Sequence, residues 1–168
     1  MAEASVPRRN PVIALLLFLT ASYAAGFVGA LATNQSLPFS YIVLSKPAWA
    51  PPGWLFAPVW TVLYGLMGWS AWTVWSVPPG EVPSGRRTWA LAMFFVQLVL
   101  NALWPWIFFG WQLLRIGLFE ICLLWLAILA TTVMFARIRP AAGWLLAPYL
   151  AWVTYATALN WAIFRLNH

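Results

Sequence analysis

Charged residues are scarce in this sequence. Three glutamates are its only acidic residues, aspartate is absent, and charged residues make up 7% of the 168 positions. A soluble domain has roughly 25% charged residues, whereas 64% of this chain is hydrophobic. A soluble fold of this size would lack the polar residues to cover its surface, while lipid solvates apolar side chains. The composition therefore predicts an integral membrane protein.

Residues that carry common enzyme chemistry are equally scarce. Cys122 is the one cysteine and His168 the one histidine, so the sequence excludes an intrachain disulfide and offers no metal-ligand cluster. No Ser–His–acid set, paired buried carboxylates, phosphate-binding loop or dinucleotide motif can be assembled. We therefore expect no catalytic residue, no bound metal and no acid–base or metal-assisted catalysis. Light- or oxygen-driven chemistry of aromatic residues on a bound pigment stays open.

Five apolar segments are long enough to cross a bilayer as helices. They predict an all-α integral membrane protein, a single transmembrane domain over residues 1–168. Arg8 and Arg9 precede the first segment like a signal peptide, but the segment is long enough to span and no convincing cleavage site follows. The predicted spans are about residues 10–31, 54–77, 88–109, 116–136 and 142–164.

The first two spans are separated by the proline-bearing stretch Thr33–Gly53. Long ordered loops in compact domains are often binding loops or lids, and proline stiffens them by fixing φ. We therefore predict a lid or a binding loop between helices 1 and 2 of a five-helix bundle.

The net charge of +6 comes from basic residues scattered between the apolar segments, which argues against nucleic acid as a partner. The positive-inside rule would place the N-terminus in the cytoplasm if the membrane is a bacterial inner membrane. One side of the membrane would have Arg8, Arg9, Arg86, Arg87, Arg137 and Arg139, and the other Lys46, Arg115 and Arg165.

Small residues recur at four-residue spacing along the first span, as in Ala21, Ala25 and Gly29. Such residues let a second helix approach closely. Packing inside the bundle is the favoured interpretation. A homodimer through Ala25, Gly26 and Gly29 is the alternative.

Three spans have aromatic and polar residues on one helix face, because positions four apart share a face. Polar amides within spans avoid lipid and face the bundle interior or a cavity. Two interpretations stay open here: interhelical hydrogen bonding alone, or a shared pocket for a flat hydrophobic ligand. The residues are Trp60 and Tyr64 on span two, Gln97, Asn101 and Trp104 on span three, and Trp152, Ala156 and Asn160 on span five.

Glu120 is the one acidic residue within a predicted span. It follows Arg115 near the start of span four, so an ion pair between them at the membrane edge is the expected arrangement. A proton-relay role would need a second buried ionisable partner, and the sequence offers none.

Three stretches closely resemble one known family. KPAWAPPGWLFAPVWTVLYGLMG (Lys46–Gly68), QLVLNALWPWIFFG (Gln97–Gly110) and APYLAWVTYATALNWAIFR (Ala147–Arg165) resemble signature stretches of the translocator proteins, also called tryptophan-rich sensory proteins or peripheral benzodiazepine receptors. They occur in the family's order, on spans two, three and five.

The resemblance implies five helices around a central pocket that is capped by the loop after helix 1. It also implies that Trp60 and Trp152 match tryptophans implicated in porphyrin photodegradation in some members. The implied ligand-binding residues are Trp49 in the lid, Phe56, Trp60, Tyr64, Asn101 and Trp104 on spans two and three, and Trp152, Tyr155, Ala156, Leu159 and Asn160 on span five.

The resemblance further implies a non-enzymatic membrane receptor or carrier for hydrophobic ligands. Tetrapyrroles such as protoporphyrin IX are the first candidate ligands, and sterols or benzodiazepine-type ligands are the second. The implied role of the protein is tetrapyrrole or sterol transport or stress sensing. Trp161 stands where many animal members have the tyrosine of a sterol-recognition pattern, which weakens the case for sterols.

Two alternatives remain, a light- or oxygen-dependent porphyrin-degrading enzyme and a dimeric sensory or interaction protein. No cofactor is required in the main hypothesis, since the tetrapyrrole is the ligand. The lipid bilayer is the expected surroundings of a multi-pass protein, in a bacterial envelope membrane or a mitochondrial outer membrane.

Overall fold

The computed structural model describes residues 10–36 and 44–167. These residues form five long helices and no strand, which confirms the predicted all-α bundle. Arg8, Arg9, His168 and residues 37–43 of the predicted lid loop lie outside the described residues. The helices are α1 (Pro11–Ser36), α2 (Phe56–Trp75), α3 (Ser84–Pro105), α4 (Leu114–Ala136) and α5 (Pro140–Leu166).

Two helices begin with a proline. Pro11 and Pro140 occupy the first position of α1 and α5, where a missing N–H costs no helical hydrogen bond. Asn10 caps α1, because its Oδ1 accepts a hydrogen bond from the Val12 backbone N–H at 3.0 Å. The start of α1 is therefore encoded locally.

A wider turn follows α3. Pro105 is the last residue of α3, and Trp106–Gly110 form a π-helical turn in which the Trp111 N–H donates to the Trp106 carbonyl at 2.7 Å. Such turns often occur at functional sites. This one buries the side chains of Phe108 and Phe109 in the bundle.

The five helices form a closed ring. Each packs mainly against two others, in the cyclic order α1, α2, α5, α4, α3 and back to α1. Close approaches occur at two glycines, because a Cβ at Gly68 would lie 2.9 Å from the Leu19 Cα and one at Gly143 would lie 2.6 Å from the Ala136 Cβ. The ring encloses an interior that all five helices share.

One half of that interior is filled by a hydrophobic core. The core belongs to the end of the bundle where α2 runs into α3 and α4 runs into α5. Its largest fully buried side chains include Tyr149, Phe94, Phe135, Met67 and Ile128. The other half, towards the predicted lid, contains the cavities described below.

Within the described residues, three helical segments are long and apolar enough to cross a membrane by length and composition, namely Pro11–Thr33, Ser84–Gly110 and Leu114–Ala136. Tryptophan, tyrosine and proline lower the hydropathy of α2 and α5. Trp54, Trp89 and Trp144 lie near helix ends and are 72%, 71% and 76% exposed, as expected for indoles at the membrane interface.

Each end of the bundle has a polar contact that joins two parts of the chain. Arg139 and Glu81 form an ion pair at 3.9 Å between the α4–α5 and α2–α3 connections. At the opposite end, the Asn167 carboxamide accepts from the Ser45 N–H at 3.1 Å and donates to the Ser45 carbonyl at 3.0 Å. The second pair fastens the described end of the lid loop to α5.

Candidate functional site

A cavity of about 480 Å³ lies inside the ring of helices, and every one of the five contributes to its wall. Its volume is within the roughly 300–1,000 Å³ typical of small-molecule sites. Apolar and aromatic side chains dominate the lining, and none of its described lining residues is charged. The cavity therefore suits a largely hydrophobic molecule.

α1 forms one wall of this cavity through Tyr23, Gly26 and Phe27, together with Gly29, Ala30 and Thr33. The small residues are needed there, because a Cβ at Gly26 would overlap the Tyr64 ring and one at Gly29 would lie 3.1 Å from the Pro105 Cγ. Gly26 and Gly29 thus pack inside the bundle. The homodimer through Ala25, Gly26 and Gly29 stays a prediction.

A chain of hydrogen bonds runs from the cavity into the core. The Tyr64 hydroxyl donates to Asn101 Oδ1 at 2.6 Å, and Asn101 Nδ2 donates to the Tyr149 hydroxyl oxygen at 2.9 Å. The Tyr149 hydroxyl in turn donates to Gln97 Oε1 at 2.9 Å. These bonds join α2, α3 and α5 and fix the orientation of the Asn101 carboxamide.

Aromatic rings form much of the remaining wall. Trp60 stacks on Tyr64 with ring centroids 5.4 Å apart and an interplanar angle of 27°. Trp104 stacks on Phe108 at 5.1 Å and 16°, and Phe56 meets Trp152 edge to face at 6.0 Å and 77°. Neighbouring rings constrain each other in these geometries, so the wall presents fixed aromatic faces.

A second, small cavity of about 30 Å³ adjoins the first. The residues that line both cavities are Phe56, Trp60, Trp104, Phe109 and Ala156, so the two cavities share part of their walls. Leu159, Asn160 and Trp152 line the small one alone.

The structure brings nine of the eleven predicted ligand-binding residues to these two cavities. Trp49 and Tyr155 line neither, since the Tyr155 hydroxyl donates to the Trp49 carbonyl at 3.0 Å and their ring centroids lie 5.7 Å apart. This pair instead fastens the loop before α2 to α5. The nine are Phe56, Trp60, Tyr64, Asn101, Trp104, Trp152, Ala156, Leu159 and Asn160.

Sequence reasoning missed the wall formed by α1 and the contribution of the π turn. The small-residue spacing of α1 indicates that another part of the chain approaches closely, but it does not distinguish a cavity wall from helix packing or a dimer face. For Phe109, no signal existed, because a π turn has no simple sequence pattern. Ile121, Leu124 and Val153, also missed, are ordinary apolar residues that only the three-dimensional arrangement places at the cavity.

The predicted ion pair between Glu120 and Arg115 is wrong. Glu120 is buried, and among the described residues neither of its carboxylate oxygens has a hydrogen-bond partner. Arg115 lies over the Phe164 ring instead, with its guanidinium carbon 6.0 Å from the centroid. Five residues of helix separate the two by about 140° around the axis, so they do not share a face.

Within the part of the chain that the structure describes, no group of three His, Cys, Asp or Glu side chains could hold a metal ion. The chemistry available in the cavities is therefore aromatic contact, together with hydrogen bonding from Tyr64, Asn101, Asn160 and the indole N–H groups.

Comparison with known proteins identifies relatives along almost the entire chain. The TspO/MBR family matches residues 18–166. A tryptophan-rich protein TspO of Chlorobaculum tepidum is 40% identical over 158 residues, 93% of this chain and 97% of the relative. A tryptophan-rich sensory protein of Cereibacter sphaeroides is 39% identical over 152 residues, 90% of each chain.

An animal protein is similarly related. The human translocator protein is 40% identical over 128 residues, which cover 76% of this chain and 75% of the relative. The family match and these identities agree with an all-helical membrane bundle. The chain belongs to the TspO/MBR family of multi-pass helical membrane proteins.

Proposed function

We propose that this protein is a membrane receptor or carrier that binds flat hydrophobic molecules in the cavity between its five helices. Tetrapyrroles such as protoporphyrin IX are the first candidate, and sterols or benzodiazepine-type ligands are the second. The observation that carries the proposal is the 480 Å³ cavity with its aromatic, uncharged wall. The proposal applies equally to a bacterial envelope membrane and a mitochondrial outer membrane.

A planar macrocycle matches the chemistry of this wall. Aromatic side chains bury a large area and contact a flat ligand face to face or edge to face. Phe56, Trp60 and Trp104 line both cavities and offer such faces from two helices. Burying apolar ligand area against them would supply most of the affinity.

Receptor or carrier activity also agrees with the names of the relatives, which refer to sensing and translocation. The ordered hydrogen bonds of Tyr64 and Asn101 support a pre-formed site. A pre-formed site loses little conformational freedom when the ligand binds.

The test is a titration of the purified protein with protoporphyrin IX, followed by quenching of tryptophan fluorescence. Trp152→Ala removes a ring from the small cavity and should weaken binding about tenfold, the effect of losing one good aromatic contact. Trp144→Ala is the matched control, because Trp144 is on the same helix and 76% exposed.

Saturable quenching that Trp152→Ala weakens and Trp144→Ala leaves unchanged would support the proposal. The absence of saturable binding to the parent protein would refute tetrapyrrole binding and move sterols ahead as the ligand class.

A further inference from the structure

Positive charge is concentrated at one end of the bundle, in what we call the arginine cluster. Arg86 and Arg87 lie in the first turn of α3, and Arg137 and Arg139 lie between α4 and α5. Glu81 is the one acidic residue that the structure describes at this end. The two cavities lie towards the other end of the bundle. The arginine cluster is therefore separate from the proposed ligand site.

Polar contacts bring the two connections of this end together. Arg87 Nη2 donates to the Pro78 carbonyl at 3.0 Å, and the Glu81 N–H donates to the same carbonyl at 3.4 Å. Arg139 Nη2 lies 3.9 Å from Glu81 Oε2, which joins the α4–α5 connection to this turn. Both side chains of this pair are about half exposed, and such a pair compensates little of the charge in water.

The arginine cluster still has donors for an anion. Among the described residues, the exposed side chains of Arg86 and Arg137 have no ion-pair or hydrogen-bond partner. The buried Arg87 Nε also has none there, although buried donors are nearly always paired. The first turns of α3 and α5 have neither an acidic residue nor a side-chain cap, so two positive helix N-termini add to the field. An anionic group is therefore the expected partner.

Exposed indoles place the arginine cluster at the level of lipid head groups. Trp89 follows Arg87 by two residues and is 71% exposed, and Trp144 in the first turns of α5 is 76% exposed. Such indoles prefer the interface of a bilayer, where basic residues attract anionic lipids. A guanidinium group binds a phosphate through two parallel N–H bonds, so a lipid phosphodiester fits this surface.

The arginines of the opposite end have a different environment. The Arg115 guanidinium carbon lies 6.0 Å from the Phe164 ring centroid, and that of Arg165 lies 5.4 Å from the Trp161 ring centroid. Both cations therefore face aromatic rings of α5. They offer a control in which the same charge is removed from the other end of the molecule.

We propose that the arginine cluster is a binding site for the phosphodiester head group of an anionic phospholipid. Arg86 and Arg137 would contact the phosphate directly, because their side chains are exposed and have no described partner. The bound lipid would bridge the α2–α3 and α4–α5 connections. This site goes beyond the proposed function and does not depend on what the cavity binds.

The experiment is native mass spectrometry of the full chain in detergent with an equimolar mixture of phosphatidylglycerol and phosphatidylcholine. We expect the parent protein to bind phosphatidylglycerol about fivefold in preference, the effect of about one arginine at a membrane surface. The double variant Arg86→Gln, Arg137→Gln should reduce the preference to about twofold or less. The double variant Arg115→Gln, Arg165→Gln loses the same charge and should retain it.

Equal binding of the two lipids by the parent protein would overturn the proposal. An equal loss of preference in both double variants would do the same, because it would indicate attraction by net charge alone. Far-UV circular dichroism checks the fold of each variant. If the cluster double variant does not fold, Arg86→Gln alone decides, with an expected loss of about twofold.

A soluble competitor distinguishes a lipid from a free phosphodiester. Glycerophosphoglycerol has the head group of phosphatidylglycerol without its acyl chains, and at equal concentration it should leave the lipid preference unchanged. Loss of the preference in its presence would indicate a site for soluble phosphodiesters and would contradict a lipid site.

Discussion

Asn101 is the residue on which the polar side of the cavity depends. Its Oδ1 accepts from Tyr64 and its Nδ2 donates to Tyr149, so one N–H of the carboxamide is left for another acceptor. Tyr149 is fully buried and lines neither cavity, yet it determines which way Asn101 faces. Tyr149, which does not line the cavity, thus determines which polar atoms of Asn101 face it.

Tyr149→Phe should therefore both destabilise the protein and weaken ligand binding. The change leaves Asn101 Nδ2 and Gln97 Oε1 without their buried partner, which should lower the free energy of unfolding by about 1–3 kcal/mol. Thermal unfolding in detergent measures the loss. Tyr23→Phe is the control for stability, because the Tyr23 hydroxyl donates to the Thr61 carbonyl at an exposed position. An equal effect of both substitutions would contradict the role of the buried network.

Sequence reasoning placed individual residues correctly where they follow a helical spacing, and it did not place them where no such spacing exists. The four-residue spacing of Gln97 and Asn101 placed both on one interior face, as the structure has them. The ion pair predicted between Arg115 and Glu120 is wrong, because residues that are close along the chain need not share a helix face.

Among the helices, α1 is the one whose contribution to the cavity wall its composition indicated least. Its glycines allow Tyr64 and Pro105 to approach, and its Val28 carbonyl accepts a hydrogen bond from the Trp106 indole N–H at 3.0 Å. α1 is therefore tied both to α2 and to the π turn after α3. Its small residues set the width of the cavity.

Gly26→Ala tests this role of α1. A Cβ at this position would overlap the Tyr64 ring, so the ring must move and its hydrogen bond to Asn101 must weaken. We expect a loss of about 1–3 kcal/mol in unfolding free energy, typical of overpacking, with weaker porphyrin binding. Gly85→Ala in α3 meets open space and should be neutral or slightly stabilising, since alanine favours helix.

Calorimetry of both glycine variants, with their oligomeric state measured in parallel, separates the two interpretations of this helix face. A folded Gly26→Ala monomer of unchanged stability would contradict packing against Tyr64. A change of oligomeric state alone would favour the homodimer.

The apolar segments predicted where the helices would form, because a segment within a bilayer must satisfy its backbone hydrogen bonds internally. The π turn was not predictable, because it depends on how Pro105 and the residues after it satisfy backbone hydrogen bonds locally.

In the whole molecule, the order of the helices around the ring determines which residues share the interior, and no single sequence pattern encodes that order. α5 lies between α2 and α4, and α1 lies between α2 and α3, so distant parts of the chain share one interior. Sequence patterns identified the polar and aromatic faces of α2, α3 and α5. They could not show that α1 and α4 complete the wall, because that depends on the complementary shapes of all five helices.

The central claim is that the ligand lies inside this ring, and filling the cavity tests it most directly. Ala156 lines both cavities, whereas Ala151 on the same helix is exposed and lines neither. Protoporphyrin IX affinity should be measured for Ala156→Phe and Ala151→Phe in parallel with the parent protein. We predict that Ala156→Phe weakens binding at least tenfold and Ala151→Phe does not change it. Unchanged affinity in a folded Ala156→Phe protein would contradict the account and place the ligand elsewhere.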